Sequence, residues 1–356
     1  MNKFAIIFGT RPEYLKLKST IDQFRKNGML CKVVYVRQHS TIDENISYDN
    51  DIHVDSISET DRLCSIGEQI LAKLPLYIAD CTHVIVQGDT ASAFYSTLCA
   101  FQMKKRVCHI EAGLRTYDLE KPFPEEGYRQ MISRMASIHF TPHEDSSRLL
   151  IDERVSGEIH MVGNTILDLI SSYNLQCTMN GTVMITFHRR ENWDKIDVLL
   201  DGLRELTKKT PHIKYIWYLH PNPSLQLKVR EAIKELPMVE LKPPCNHMEF
   251  TAQIACSNFL ITDSGGVQEE ASFLGKHCIV LRASTERSHI PKEYITVLED
   301  YSKLADVVEN VPGELLEPCN VYGFGNSAEQ IITKLCALTP SLIRSKMEQS
   351  SSLSLR

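Results

Sequence analysis

Residues 259–270 read Phe-Leu-Ile-Thr-Asp-Ser-Gly-Gly-Val-Gln-Glu-Glu. The apolar run at the start predicts a buried strand, residues 263–266 predict a tight turn, and a helical pattern begins at Val267. A strand that turns straight into a helix directs backbone N–H groups and the positive end of the helix dipole at one place, which favours a phosphate. Glu270 in this helix start can cap the helix or accept hydrogen bonds from a ribose diol. The segment therefore predicts an anion site, with an ordinary strand-to-helix turn as the alternative.

The composition indicates a globular protein with two domains. The chain has 356 residues, 43% of them hydrophobic and 24% charged, which is long enough for two separate cores. A net charge of −6 gives no general attraction to nucleic acid. Eleven cysteines occur without a Cys-x-x-Cys pair, no secretory signal is evident, and no stretch is long enough to cross a bilayer. We therefore expect a cytoplasmic protein with reduced thiols and with neither a nucleic-acid nor a membrane partner.

Short apolar runs alternate with longer amphipathic runs, which is typical of an α/β fold with parallel sheets. The predicted strands are Phe4–Phe8, Lys32–Val36, His83–Gln87, Val107–Ile110, Ile138–Thr141, Ile159–Val162, Val183–Phe187, Tyr215–Leu219, Val239–Leu241, Phe259–Thr262 and Cys278–Leu281. The predicted helices are Tyr14–Lys26, Ala91–Lys104, Glu125–Ala136, Ser146–Glu153, Ile196–Lys209, Leu225–Leu236, Phe250–Ala255, Val267–Leu274 and Ser327–Leu338.

The alternation restarts after a turn-rich segment, which predicts two Rossmann-like domains. We expect an N-terminal domain over residues 1–170, a linker over 171–181 and a C-terminal domain over 182–326. A helix over 327–342 is expected to pack back toward the first domain, and the Ser-rich tail 343–356 is expected to be disordered. Two such domains facing each other would place the carboxyl ends of both sheets, and the sites there, on a cleft.

Three acidic residues follow predicted strand ends or begin a helix in the first half. Asp89 follows the strand that ends at Gln87, Glu111 follows the next strand, and Glu125 begins a helix after two prolines. Each alone could be a helix cap, but three acids at the ends of one sheet are harder to explain in that way. Two carboxylates in a cleft can take and return a proton when their pKa values are pushed apart. The sequence therefore predicts acid/base chemistry here.

Basic residues follow the first strand of each half. Residues 9–13 read Gly-Thr-Arg-Pro-Glu, Lys16 lies one turn further on, and residues 187–192 read Phe-His-Arg-Arg-Glu-Asn. The first motif is not a dinucleotide fingerprint, because Gly-x-Gly-x-x-Gly is absent. His188 beside two arginines suits contact with a diphosphate, and a solvated basic loop is the alternative. His220 lies between strand and helix in a His-Pro-Asn-Pro sequence that fits a rigid turn as well as a site.

Taken in order, these motifs resemble the non-hydrolysing UDP-N-acetylglucosamine 2-epimerases. The resemblance runs from residue 3 to about residue 335, and the ordered set is far more specific than any single motif. The matching segments are residues 9–13, 88–90, 109–115, 122–126, 163–165, 188–192, 220–223, 263–270 and 285–287.

The resemblance implies two Rossmann-like domains in the arrangement called GT-B, a UDP-sugar substrate and a reversible epimerisation at C2. A carboxylate removes the C2 proton as UDP leaves, and the resulting glycal is reprotonated on its other face before UDP adds back. A cytoplasmic homodimer in polysaccharide biosynthesis, with no metal, nicotinamide or other cofactor, is also implied. The implied site residues are Asp89, Glu111 and Glu125 as acid and base; Arg11, Lys16 and His188 near the sugar and diphosphate; Ser264, Gly265 and Gly266 at the phosphates; Glu270 at the ribose; and Phe250 at the uracil.

The chain departs from the family pattern in two places. Gln38-His39 is followed by Ser40–Asp43, where relatives usually have a longer helix start, and residues 44–62 look shortened. Bacterial members are activated by a second substrate molecule partly through that region, so we expect simple hyperbolic kinetics. Gln38 and His220 are the candidate contacts of an allosteric or sugar site. Phe324 stands where the family's Tyr-Gly-x-Gly turn more often carries an acid, which indicates a packing difference.

Four alternatives remain open from the sequence. A hydrolysing relative would release N-acetylmannosamine and UDP, but residues 109–115 and 122–126 match the non-hydrolysing type. A 2-epimerase for a modified UDP-N-acetyl sugar would use the same core. A GT-B glycosyltransferase would need an acceptor site in place of three acids at C2. A non-catalytic nucleotide-sugar binder would be expected to have lost a carboxylate, and none of the three is lost.

Overall fold

The computed structural model describes residues 2–37, 46–54, 62–220, 222–283, 287 and 289–337, without the side chain of Glu191. The fold is α/β with two parallel sheets. Contacts divide the chain into two compact units, one that contains residues up to Leu169 and those from Tyr322 onward, and one that contains residues 170–321. Among the helices of the described residues, none combines the length and the apolar character needed to span a bilayer.

The first unit is built on a seven-stranded parallel sheet in the order β3-β2-β1-β4-β5-β6-β7. Its strands are β1 (Phe4–Phe8), β2 (Cys31–Arg37), β3 (Asn50–His53), β4 (His83–Gln87), β5 (Arg106–Ile110), β6 (Ile138–Thr141) and β7 (Glu158–Met161). Its helices are α1 (Arg11–Lys26), α2 (Arg62–Ile78), α3 (Ala91–Gln102), α4 (Glu125–Met135) and α5 (Glu144–Asp152). The strand order reverses between β1 and β4, and in such sheets ligands bind beyond the carboxyl ends of the strands at that point.

Both faces of this sheet are covered, as its apolar strands require. Phe4, Ile6 and Phe8 of β1 face one core, while Ala5 and Ile7 face the other, and all five side chains are at most 1% exposed. Helices α2 and α3 pack closely over the second face, since a Cβ on Gly67 would lie 2.5 Å from the ring of Tyr95. This scaffold fixes the strand ends on which the candidate residues lie.

The chain returns to the first unit through its C-terminal part. Helix α6 (Ile166–Ser172) leads into the second unit, and α12 (Ser327–Ala337) packs against α1 with Ile331, Ile332 and Leu335 in the core of the first unit. The Asp168 carboxylate accepts hydrogen bonds from the N–H groups of Ser327 (3.0 Å) and Ala328 (2.7 Å). Asp168 therefore caps the start of α12 from another helix, which satisfies two N–H groups that would otherwise lack a partner.

The second unit is built on a six-stranded parallel sheet in the order β10-β9-β8-β11-β12-β13. Its strands are β8 (Thr182–Thr186), β9 (Lys214–Tyr218), β10 (Val239–Lys242), β11 (Phe259–Thr262), β12 (His277–Val280) and β13 (Ile295–Val297). Its helices are α7 (Ile196–Lys209), α8 (Pro223–Ala232), α9 (His247–Cys256), α10 (Gly265–Phe273) and α11 (Leu304–Val307). Strand order reverses between β8 and β11, which again marks the expected ligand edge.

The structure confirms the predicted α/β class with parallel sheets and contains all eleven predicted strands, with ends that differ by one residue at most. Helix α1 begins at Arg11 rather than Tyr14, because Thr10 caps it and Pro12 occupies its first turn. Helix α6 continues through Ser172, so the first two residues of the predicted linker are helical. The prediction for residues 343–356 lies outside the described residues, as does the end of the predicted C-terminal helix beyond Ala337.

Candidate functional site

Glu111, directly after β5, is held by two side chains from other elements. Lys16 Nζ on α1 lies 2.7 Å from Glu111 Oε1 and 2.6 Å from Oε2, and Gln87 Nε2 at the end of β4 also donates to Oε2. Glu111 adopts φ +65°, an uncommon left-handed conformation for a residue with a side chain. Such strain costs about 1–3 kcal/mol and concentrates at functional sites. The Glu111 side chain is 11% exposed, so its ion pair is shielded from bulk water.

The turn after β4 is shaped to present Asp89. Gly88 adopts φ +70°, which only glycine adopts readily. His109 Nε2 lies 2.8 Å from the Gly88 carbonyl oxygen, and burial lowers the pKa of His109 to about 3. The imidazole is therefore neutral and donates an N–H to this carbonyl. His109, which the sequence motif contains, supports the turn of the neighbouring strand.

Asp89 is ion-paired with a residue that the sequence motifs do not include. Arg129 Nε on α4 lies 2.6 Å from Asp89 Oδ2, and Arg129 Nη1 lies 3.3 Å from Glu126 Oε2. Burial opposes the charge of Arg129, but Asp89, Glu126 and Glu111 together raise its pKa. The only sequence signal for this role is the spacing of Glu126 and Arg129 by three residues on one helix face.

Glu126 is a structural acid beside the candidate catalytic one. It is fully buried and accepts hydrogen bonds from the N–H groups of Thr116 (3.0 Å) and Tyr117 (3.1 Å) and from Gln130 Nε2 (2.9 Å). Burial alone would raise the pKa of Glu126, but these hydrogen bonds and Arg129 lower it. Glu126 therefore anchors the loop before α4 in its ionised form.

Glu125, the first residue of α4, lies in a different electrostatic setting. Burial raises the pKa of Glu125, and the negative charge of Asp89 raises it further. Asp89 and Glu111 are each paired with a cation, whereas Glu125 is biased toward keeping its proton. The first unit thus holds two carboxylates paired with cations and a third, Glu125, whose pKa is raised, and such different surroundings suit acid/base catalysis.

Three further residues of the quoted motifs lie outside this group of carboxylates and their partners. The side chain of Arg115 is fully buried and forms a bidentate pair with Glu153, at 2.7 and 2.9 Å, so it stabilises the fold. Arg11 lies exposed at the first turn of α1. Glu13 of the same motif is buried and joins two loops, accepting from Thr10 Oγ1 (2.8 Å) and from Thr90 Oγ1 (2.7 Å).

In the second unit, Asp263 ties together the ends of β8 and β11. Its carboxylate is fully buried and accepts from the N–H groups of His188 and Arg189, both at 2.9 Å, and from Asn192 Nδ2 at 3.2 Å. The imidazole of His188 is thereby fixed near that of His220, with ring centroids 5.4 Å apart. Burial lowers the pKa of both histidines, so each can offer an N–H without a charge.

The predicted phosphate turn forms the start of α10. Ser264 is the residue that precedes the helix, and its side chain makes no cap hydrogen bond within the described residues. A Cβ on Gly265 would lie 3.0 Å from Cζ of Arg287, whereas one on Gly266 would meet no described atom within 4 Å. Arg287 Nε in turn pairs with Glu269 Oε1 at 2.7 Å. A guanidinium therefore lies against the glycine turn.

Glu270 and Phe250 lie on the adjoining helices α10 and α9. Glu270 Oε2 is a buried atom, and it lies 3.3 Å from His247 Nε2. Phe250 packs against Tyr218 of β9, with ring centroids 5.5 Å apart. The predicted residues of each unit lie in the connections and helices that follow its strands. Gln38, Pro221, Thr285 and Glu286 lie outside the described residues.

Comparisons with known proteins identify the family to which the chain is similar. Residues 29–336 match the family described as UDP-N-acetylglucosamine 2-epimerase. A UDP-N-acetylglucosamine 2-epimerase of Neisseria meningitidis is 32% identical over 370 residues, which cover 94% of this chain and 99% of the relative. The crystal structure of a UDP-GlcNAc 2-epimerase from Neisseria meningitidis bound to UDP-GlcNAc is similar with a TM-score of 0.84 and 29% identity, covering 94% of this chain and 100% of that one. The UDP-GlcNAc 2-epimerase from Methanocaldococcus jannaschii gives a TM-score of 0.80 at 27% identity, covering 94% and 99%.

Proposed function

This chain belongs to the UDP-N-acetylglucosamine 2-epimerase family, and we propose that it interconverts UDP-N-acetylglucosamine and UDP-N-acetylmannosamine without net hydrolysis. The observation that carries the proposal is the set of carboxylates in the first unit. Asp89 and Glu111 are paired with cations, whereas burial and the charge of Asp89 raise the pKa of Glu125. One unit thus offers both a proton acceptor and a proton donor.

The chemistry explains why such a set is needed. The C2 proton of the sugar is not next to a carbonyl, so it becomes removable only as the bond from C1 to UDP breaks. An ionised carboxylate then takes the proton and leaves a glycal, and a protonated carboxyl returns a proton to the opposite face. We assign the ionised role to Asp89 or Glu111 and the protonated role to Glu125. Lys16 would keep Glu111 in the ionised form until it acts.

The residues of the second unit suit the UDP half of the substrate. The helix start at Ser264–Gly266 with Arg287 beside it favours the diphosphate, and His188 can add an N–H. Glu270 can accept the ribose hydroxyls, and the ring of Phe250 can pack on the uracil. Arg11, exposed on α1 in the first unit, is assigned to the diphosphate or sugar. The structure of a relative with UDP-GlcNAc bound supports a substrate of this class.

Four further expectations belong to this proposal. All eleven cysteines are free thiols, which supports a reducing, cytoplasmic location. A homodimer and a role in polysaccharide biosynthesis remain proposals from the family. Hyperbolic kinetics are expected because the sequence departs from the family pattern at Ser40–Asp43, a segment that lies outside the described residues.

A product assay tests the proposal against its hydrolysing alternative. The protein is incubated with UDP-N-acetylglucosamine, and the nucleotide sugars, free UDP and free sugars are separated by anion-exchange chromatography. We expect the two UDP-sugars to approach a fixed ratio from either side, with free UDP a minor component. Stoichiometric release of N-acetylmannosamine and UDP would instead identify a hydrolysing enzyme, and an unchanged substrate would leave only the binding role.

A further inference from the structure

Three side chains from three different segments of the second unit form a series of contacts that ends at the carboxylate of Glu270, the residue proposed to bind the ribose. Tyr173, just after α6, places its hydroxyl 3.0 Å from His247 Nδ1 at the start of α9. The other ring nitrogen, Nε2, lies 3.3 Å from Glu270 Oε2 on α10. None of the sequence motifs contains Tyr173 or His247, and neither has a part in the proposed acid/base steps.

The contacts favour one proton position on the imidazole. When the Tyr173 hydroxyl donates to Nδ1, the neutral His247 carries its own proton on Nε2, facing the Glu270 carboxylate. The contact between Nε2 and Oε2 is close but lacks the alignment of a hydrogen bond. Both atoms are buried, and neither has a hydrogen-bond partner within the described part of the chain. A donor and an ionisable acceptor therefore face each other one small rotation away from pairing.

We propose that His247, with its tautomer fixed by Tyr173, is a positioning residue that orients Glu270 for the vicinal diol of a ribonucleoside diphosphate. The inference rests on the proposed UDP-sugar function and deepens it by assigning how ribose is distinguished from deoxyribose. When a ribose hydroxyl donates to Glu270 Oε1, the carboxylate turns and Oε2 accepts the His247 Nε2–H. The two buried atoms gain their hydrogen bond only in the complex, so the affinity depends on the diol and on His247 together.

The location of the three residues supports this assignment. Phe250 follows His247 by three residues on α9, so both side chains lie on the same face of that helix. Glu270 lies on α10, whose first residues form the predicted phosphate turn. Base, ribose and diphosphate elements thus occur on two helices that contact each other. In the complex, the hydrogen bond from the imidazole fixes the orientation of the carboxylate, which favours a diol over a single hydroxyl.

Isothermal titration calorimetry with UDP and with 2′,3′-dideoxy-UDP tests the inference. The wild-type protein should bind UDP at least about tenfold more tightly than 2′,3′-dideoxy-UDP. The dideoxy ligand lacks the hydroxyls that would donate hydrogen bonds to the charged carboxylate. The His247→Phe variant should bind UDP only as tightly as it binds 2′,3′-dideoxy-UDP. Its affinity for the dideoxy ligand should differ from that of the wild type by less than about twofold. His247→Gln, which can still donate an N–H, should recover part of the preference for UDP over the dideoxy ligand. Tyr173→Phe should show a preference between that of the wild type and that of His247→Phe. Met248→Ala, an exposed neighbour on the same helix, should match the wild type.

The outcomes separate this inference from the function on which it rests. Equal losses for both ligands in His247→Phe would show a purely structural residue and would overturn the inference. A preference for UDP that survives in both His247 variants would overturn it as well. A wild-type protein that binds both ligands equally would also contradict it, while leaving the UDP-sugar function in place. A wild-type protein that binds neither would contradict the proposed function itself.

Discussion

At the scale of single residues, the carboxylates of the first unit differ by what surrounds them. Glu111 is paired with Lys16 and Asp89 with Arg129. The pKa of Glu125 is instead raised, chiefly by burial and further by the charge of Asp89, although Arg129 lowers it in part. The sequence predicted which acids follow strand ends, because that requires only strand periodicity and position. It did not predict Arg129 as the partner of Asp89, because that pair joins α4 to the turn after β4, forty residues apart.

Replacing each acid by its amide tests the assignment. Asp89→Asn, Glu111→Gln and Glu125→Gln should each lower kcat roughly 10²–10⁴-fold, the range typical of a general acid or base. The dissociation constant for UDP should change little, because these residues are assigned to the sugar. Steady-state kinetics and calorimetry measure the two quantities, with Glu120→Gln on the exposed loop before α4 as control. Near-normal turnover in all three variants would refute the roles.

The proton state of Glu125 gives a pH prediction. Burial and the Asp89 charge raise the pKa of Glu125, so its proton is present at low pH and is lost as pH rises through that raised value. Activity that needs the protonated acid should therefore fall along an alkaline limb. Asp89→Asn removes a negative charge that raises the pKa of Glu125, so that pKa should decrease. Carboxyl ¹³C NMR can follow the titration, and the Glu125→Gln variant assigns the signal. An unchanged titration in Asp89→Asn would contradict the coupling.

Gly265 offers a residue-scale test of the phosphate turn. A Cβ there would lie 3.0 Å from Arg287 Cζ, so Gly265→Val should displace the guanidinium and weaken UDP binding at least about tenfold. Gly313→Val, in a loop of the same unit where a Cβ meets nothing within 4 Å, is the control. Calorimetry should show the loss only in the first variant, and circular dichroism should show both folded. Equal UDP affinity in the two variants would place the diphosphate elsewhere.

At the scale of elements, helix α2 and strands β3 and β13, which the sequence analysis did not predict, show what apolar periodicity cannot detect. The apolar spacing of Ile66, Ile70, Leu74 and Ile78 does fit a helix, but Pro75 interrupts the sequence signal although it is accommodated inside α2. Strand β3 is a four-residue edge strand with a single buried side chain, and β13 has only three residues. Such edges are defined by pairing with a neighbouring strand, which the local sequence does not encode.

The cap on α12 provides an element-scale prediction. Asp168→Ala removes the acceptor for the N–H groups of Ser327 and Ala328 and should cost about 1–2 kcal/mol of unfolding free energy. Asp168→Asn keeps an acceptor oxygen for one of the two N–H groups but turns its NH2 toward the other, so it should recover only part of that loss. Urea unfolding followed by far-ultraviolet circular dichroism measures both variants. If Ala and Asn behave alike, the contact does not hold the C-terminal helix.

At the scale of the whole molecule, the two-sheet architecture was predictable because each half repeats the same alternation of strand and helix. Each sheet places its candidate residues where its strand order reverses, at β1/β4 and at β8/β11. The Tyr173–His247–Glu270 chain was not predictable, since it joins three segments through side-chain geometry alone. The three carboxylates proposed for acid/base chemistry thus belong to one unit, and the residues proposed for UDP, apart from Arg11, belong to the other.

The central claim is that a carboxylate exchanges the C2 proton while the product keeps its UDP. Incubation with UDP-N-acetylglucosamine in deuterated water, followed by NMR and mass spectrometry of the recovered nucleotide sugars, tests it directly. We predict one deuterium at C2 of UDP-N-acetylmannosamine and, as the reaction reverses, of UDP-N-acetylglucosamine as well, with loss of this label in Glu111→Gln or Asp89→Asn. Epimerised UDP-sugar that keeps its original C2 hydrogen would contradict the proposed mechanism.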